Sequence, residues 1–235
     1  MNQEHRGAHA SRSAGRDARR AARGNKRASK LPYITRRLPV VELLSLEALE
    51  IIEHNAELIL EEIGVEFRRD PESLRLWRGA GADVRGERVH IPRGLARSLL
   101  RSAPREFMLH ARNSERNVRF GGDATVFSPV GGPPFVTDLD RGRRYGTLED
   151  LENFIKLAHV APAIHFSGGT AVEPMDIAPG KRHLDVMYAY FRLSDQGCEA
   201  TPETPGHAAD AVRMAELLFG EQFVDQHVVV LGNIN

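Results

Sequence analysis

From Ala124 onward the sequence alternates strand and helix, and no other feature limits its possible folds so strongly. A strand at 124–127 runs into the turn cluster Ser128-Pro-Val-Gly-Gly-Pro-Pro134, and a helix follows at 148–158. A strand at 164–167 leads to a helix at 181–193. A weaker strand near 197–200 leads to a helix at 206–219, stopped by Gly220, and Val228-Val-Val-Leu231 reads as a buried strand. This β-α-β-α-β-α-β order predicts a parallel sheet with helical crossovers. Right-handed crossovers place the helices on one side if such a sheet closes into a barrel. Thr147 opens the first of these helices, with Asp150 as an Asp variant of the capping box. Leu148, Leu151, Phe154, Ile155 and Leu157 give that helix its apolar stripe.

The chain before Ala124 lacks this rhythm and reads as an α+β region. Ser45 caps an amphipathic helix whose Leu46, Leu49, Ile52, Ala56, Ile59, Leu60 and Ile63 share one face, ended by Gly64. Val65-Glu-Phe67 is a short strand. Asp70-Pro71 starts a second helix that Gly79 stops. Val84–Val89 is a small hairpin, Pro92–Ser102 a third helix, and Phe107–Ala111 pairs with Asn117–Phe120. The expected division is 1–37 as a disordered basic tail, 38–122 as the α+β accessory region, and 123–235 as the βα part.

Charge enters the argument through its distribution. The chain of 235 residues is formally neutral, yet residues 1–37 hold eleven Lys/Arg against Glu4 and Asp17, a local +9. Such a segment buries too little apolar surface to offset its ordering entropy. It reads as a solvated tail, or alternatively as a basic arm for nucleic acid, although only Tyr33 interleaves its basic residues. The single cysteine, Cys198, excludes an internal disulfide framework and suits a reducing compartment. No apolar run reaches the roughly 18–20 residues of a membrane helix, and the N-terminus lacks a secretory apolar core. The expectation is a cytoplasmic protein with no membrane partner.

Motif chemistry is sparse. There is no CxxC, HExxH, GxSxG elbow, P-loop or dinucleotide fingerprint, and no metal site is expected. His183 and Asp185 lie two apart on a helix and point to different sides. What remains is the set of residues just after the strands, which line the mouth of a barrel. These are Ser128 with the Gly131–Phe135 turn, Ser167-Gly-Gly-Thr170, Glu199 with Thr201, and Asn233 with Asn235.

The stretches Gly131-Gly-Pro-Pro-Phe-Val136, Asp138, Gly146-Thr-Leu-Glu-Asp150, Ile164-His-Phe-Ser-Gly-Gly169, His183-Leu-Asp-Val186 and Phe191-Arg-Leu-Ser-Asp195 resemble the trimethylamine:corrinoid methyltransferase family. The likeness runs from about Leu43 to the end of the chain. It implies a (β/α)8 TIM-type barrel about twice as long, of which this chain matches the first half. The expected fold class is therefore α/β: a partial barrel behind a small α+β region and a basic tail, an incomplete fragment inactive alone. A small open α/β sheet is the alternative.

The resemblance further implies methyl transfer from a methylated amine to the cobalt of a corrinoid (cobalamin) carried on a partner protein, with no cofactor held tightly by this chain. Cobalt is the nucleophile there, so the enzyme holds a bulky cation, aligns one methyl group and expels water. Aromatic faces and nearby acids recognise methylammonium groups. Phe127, Phe135, Tyr145 and Phe166 are the aromatic candidates, and Asp138 and Glu199 the acids, with Phe135 and Asp138 favoured. Gly131, Gly132, Gly168, Gly169 and Asn233 complete the expected substrate contacts; the catalytic residues stay unassigned. Trimethylamine-specific members carry pyrrolysine in the second half of the barrel, beyond the match. Where the family usually has an apolar strand containing lysine and proline, this chain reads Gln196-Gly-Cys-Glu-Ala-Thr-Pro202, a departure that points to other amines such as betaines. A homo-oligomer would cover the open sheet edges. The alternatives to be weighed are a nucleic-acid-associated protein using the basic tail and another barrel enzyme, a lyase or aldolase, for which Lys156 and Lys181 are poorly placed.

Overall fold

A computed structural model describes residues 33–233, so most of the basic segment and Asn235 lie outside the described residues. The described chain is mixed α/β, with seven α-helices and several small sheets, and it divides into two compact units. One comprises residues 36–107, and the other residues 33–35 together with 108–233. β1 (Ile34–Thr35) belongs to the second.

In the unit 36–107, Ser45 accepts from the Ala48 N–H and caps α1 (Leu46–Leu58), which widens into a π-helical turn at Ile59–Ile63. β2 (Val65–Glu66) follows, then α2 (Pro71–Ala80), capped by Asp70. The expected stop at Gly79 is corrected: the helix runs through it and ends at Gly81, the residue in the left-handed region at φ 101°. β3 (Asp83–Arg85) and β4 (Arg88–His90) form the expected hairpin, with β2 on the other side of β4. The third helix is shorter than its pattern, α3 (Leu95–Leu100). The core is Ala82, Val89 and Ile91, packed by Leu60, Phe67, Leu74 and Trp77. The apolar face of α1 contributes no buried residue.

The last two residues of β5 (Glu106–Leu109) open the main run of the second unit, and β5 pairs with β6 (Val118–Gly121) around a 3-10 turn. β7 (Ala124–Thr125) is all that forms of the strand expected at 124–127, and it pairs antiparallel with β1. β8 (Phe135–Asp138) and β9 (Gly142–Tyr145) then form a hairpin where a loop was expected. The Asp138 carboxylate accepts the backbone N–H groups of Asp140 and Arg141, an Asx-type turn that folds the charged run back on itself. α4 (Leu148–Val160) carries the expected capping box of Thr147 and Asp150. Its buried stripe is Leu151, Ile155 and Ala158, while Phe154 and Leu157 face solvent. α5 (Pro179–Leu193), β10 (Cys198–Ala200), α6 (Pro205–Phe219), α7 (Glu221–Gln226) and β11 (Val230–Gly232) complete the chain.

The parallel alternation is realised unevenly. β10 and β11 pair in parallel, with Cys198, Glu199 and Ala200 opposite Val230, Leu231 and Gly232. The segment 164–167 forms no ladder and is corrected to extended chain. Single bonds still tie it to both neighbours: His165 N–H to Phe127 O at 2.9 Å and Ser167 N–H to Gly197 O at 2.9 Å. Among the described residues no sheet closes into a barrel. The main core, Val136, Leu151, Ile155, Val172, Val186, Ala189, Tyr190 and Cys198, lies between these segments and α4–α5. A second cluster, Leu109, Val118 and Phe166, seats the β5–β6 hairpin at the N-terminal side of the extended segments, where Leu109 bridges Val228 in parallel. The hairpin thus leaves the opposite, C-terminal ends for a site.

Candidate functional site

Along β10 the side chains alternate. Cys198 and Ala200 are buried against the helices, so Glu199 points to the opposite face. That parity puts a half-buried carboxylate on the face away from the helices, and the Glu199 backbone N–H donates to Gly168 O at 2.9 Å. Burial raises the Glu199 pKa, and an amide hydrogen bond from Asn233, beyond β11, opposes the rise. Two residues expected at separate strand ends are therefore brought together by the parallel β10–β11 pair.

The glycine loops close over the same place. Gly168 has φ 71°, and a Cβ there would lie 3.2 Å from Ser128 Cβ and 3.3 Å from Pro129, so only glycine fits. Gly169 lies beside the acid: a Cβ on it would make ordinary contact with Glu199 Cδ at 3.5 Å. Gly132 N–H donates to Thr170 O at 2.8 Å, and a Cβ on Gly131 would stand 3.3 Å from that oxygen. Thr170 and Thr201 join the rims of adjacent loops through their hydroxyls, 3.2 Å apart. Gly131, Gly132, Gly168, Gly169, Glu199 and Asn233 thus form one connected set.

Phe135 and Asp138 lie in the β8–β9 hairpin and have partners there. Phe135 stacks on Tyr145 at 4.7 Å, with the Arg143 guanidinium 4.0 Å from its ring centre. Asp138 is held below the ordinary carboxylate range, chiefly by the Arg141 N–H, and also pairs with the Arg141 and Arg144 guanidinium groups. Phe127 stacks on His165 at 5.7 Å, and Phe166 belongs to the buried cluster with Leu109. The one cysteine is no nucleophile: burial pushes the Cys198 thiol up to about 12.

Two features of this region escaped the sequence. Tyr190, 2% exposed, reaches from α5 to donate its hydroxyl to Gly169 O and to accept the Ala171 N–H at 3.3 Å. Beside Thr170 and Thr201, a small polar cavity is lined by Glu173, Arg182, His183, Glu203 and His207. There His183 Nε2 lies 2.8 Å from the Asp210 carboxylate, and the His183 and His207 rings stack at 3.8 Å. Burial raises Glu173 against the pull of Arg182. Spacing gave no signal for either feature, because each joins a helix to a partner some twenty or more residues away.

Residues 12–235 match the family described as trimethylamine methyltransferase (MTTB). The chain is 44% identical over 197 residues to the glycine betaine methyltransferase of Desulfitobacterium hafniense (strain Y51), covering 84% of this chain and 41% of that protein. It is 26% identical over 147 residues to the proline betaine:corrinoid methyltransferase of Eubacterium limosum, covering 62% of this chain and 29% of that protein. The chain therefore spans less than half the length of either relative. By the extent of the family match and the level of identity, the chain belongs to the trimethylamine methyltransferase family.

Proposed function

We propose that these residues form part of the substrate mouth of a methyltransferase that takes a methyl group from a methylated amine, of the betaine class, for a corrinoid protein. The single observation that carries the reading is the half-buried Glu199 carboxylate, bonded by Asn233 and flanked by backbone at Gly168 and Gly169. A quaternary ammonium has no N–H to donate, so charge and close contact must hold it. Ionised Glu199 supplies the countercharge, and its partial burial strengthens the attraction. The glycines let the backbone approach without a side chain in the way, and the Thr170–Thr201 rim limits water. The corrinoid supplies a cobalt nucleophile from the partner protein. The names of the two relatives, and the departure at Gln196–Pro202, favour a betaine over trimethylamine.

The parallel β10–β11 pair and the single bonds linking 127, 165, 167 and 197 support reading residues 123–235 as the first part of a TIM-type barrel. Because the chain spans less than half of its relatives' length, turnover is proposed only for a protein of their full length, and the 235-residue chain is expected to transfer no methyl group to cob(I)alamin. The proposed setting is cytoplasmic. Among the described residues no helix is long and apolar enough to cross a membrane.

Calorimetric titration of the chain with glycine betaine tests the reading. Saturable binding is expected, weakened at least about tenfold, or ~1.4 kcal/mol, in Glu199→Gln. Binding that Glu199→Gln leaves unchanged, or none at all, would overturn it.

A further inference from the structure

From α5 the hydroxyl of Tyr190 bonds the loop that flanks Glu199. Its ring belongs to the main core, and its oxygen holds two backbone groups, Gly169 O and the Ala171 N–H. Gly168 O, one residue before, accepts the N–H of Glu199. The loop is thus fixed from the helix side by Tyr190 and from the strand side by β10. Between those anchors Gly169 lies beside the acid, near enough that an added Cβ would come into ordinary contact with Glu199 Cδ at 3.5 Å. We propose that Tyr190 is a positioning residue: by clamping the Gly168–Ala171 loop from behind, it sets how closely backbone and water approach Glu199, and so how firmly that carboxylate takes a cationic amine.

Burial pushes the Tyr190 hydroxyl above its ordinary pKa, so it remains a proton donor across all working pH values. Without it, two backbone groups in this closed region lose their partner and must find water. The loop then loosens, and solvent reaches Glu199. The Glu199 carboxylate has the Asn233 amide beside it and is raised by burial, while Tyr190 and Cys198 lie in the core on the other face, so a change in its burial is read in its titration.

The inference rests on the amine-binding reading of Glu199, but its test does not need an amine. Carboxyl carbon NMR of the 235-residue chain follows the titration of Glu199 directly. In Tyr190→Phe, which keeps the ring, Glu199 is expected to move down towards the ordinary carboxylate value. Amide exchange at Gly169 and Ala171 should quicken by about tenfold or more, while exchange in α4 stays as it was. A merely structural tyrosine would lower stability and leave the Glu199 titration where it is, and that result overturns the proposal. If Tyr190→Phe fails to fold, the wild-type chain decides. A slowly exchanging Tyr190 hydroxyl proton with proximity to the Ala171 amide is expected, and its absence overturns the clamp. Titration with glycine betaine then separates the two ideas. A Glu199 shift without amine binding upholds the clamp and removes the function. Amine binding without a Glu199 shift does the reverse.

Discussion

Gly197 and Leu109 offer a test of how the β5–β6 hairpin is seated. A Cβ on Gly197 would lie 2.6 Å from Leu109 Cδ2 and 2.8 Å from Leu109 Cγ. Leu109 is fully buried, packed with Val118 and Phe166, so its side chain has no free rotamer to retreat into. Gly197→Ala is therefore an overpacking change, expected to cost about 1–3 kcal/mol. Leu109→Ala removes the obstructing atoms and is expected to cost about 2–5 kcal/mol by itself, from lost burial and the cavity. Together the two should not add. The new methyl occupies space that leucine has vacated, so the double variant should recover about 1 kcal/mol or more relative to the sum. Urea unfolding followed by far-UV circular dichroism measures all three. The single tryptophan, Trp77, lies in the other unit, so its fluorescence transition should stay unchanged and localise the damage. Additive effects, or a neutral Gly197→Ala, would refute the seating of the hairpin against that segment.

Other expectations follow from groups already placed. Leu151→Ala should cost about 2–5 kcal/mol in the same unfolding assay, because its side chain is fully buried in the main core. His165 Nδ1 accepts the Phe127 N–H at 2.8 Å, and burial lowers its pKa. The unfolded imidazole near 6.5 therefore binds protons more readily than the folded one, so stability present above that value should fall as pH drops below it, and His165→Gln should flatten the dependence. Asp150 is held well below the ordinary carboxylate range, first by Arg144 and against its burial. Its contribution should be complete above the unfolded value near 4 and be lost only in stronger acid, visible as a smaller acid-induced decline in Asp150→Asn. Asp138→Asn should loosen the β8–β9 hairpin in amide exchange while leaving glycine betaine binding unchanged.

Local chemistry was the part of the fold that sequence made legible. Thr147 and Asp150 sit three apart and satisfy each other, so their helix start could be read directly. The same holds for Ser45, Asp70 and the β3–β4 turn. Gly79 misled because a glycine is tolerated inside a helix; the chain turns left-handed two residues later. The β8–β9 hairpin was hidden because its turn is made by a side chain, Asp138, within a run of charges that reads as loop. Ile164-His-Phe166 has a strand's composition, yet the few backbone bonds that residues 165–168 make to the flanking segments are less than a ladder. Tyr190 could not be found at all, since it lies on a buried helical stripe where an aromatic residue is ordinarily core.

The two acids weighed at the outset separate on the capacity each has left. Asp138 has its oxygens occupied by two backbone N–H groups and two guanidinium groups, and the Arg141 N–H first, with the Asp140 N–H and the Arg141 guanidinium, lowers its pKa while leaving little room for a further cation. Among the described residues Glu199 has an amide partner, Asn233, that opposes the rise in its pKa caused by burial. A half-buried carboxylate in that state gains more from an incoming cation than one already neutralised. Binding a quaternary ammonium would return the Glu199 pKa towards its ordinary value, so the same free energy appears as affinity and as proton release. On the proposed reading, Glu199 is therefore the acid suited to a methylated amine, and the glycines at 168 and 169 put no side chain beside it.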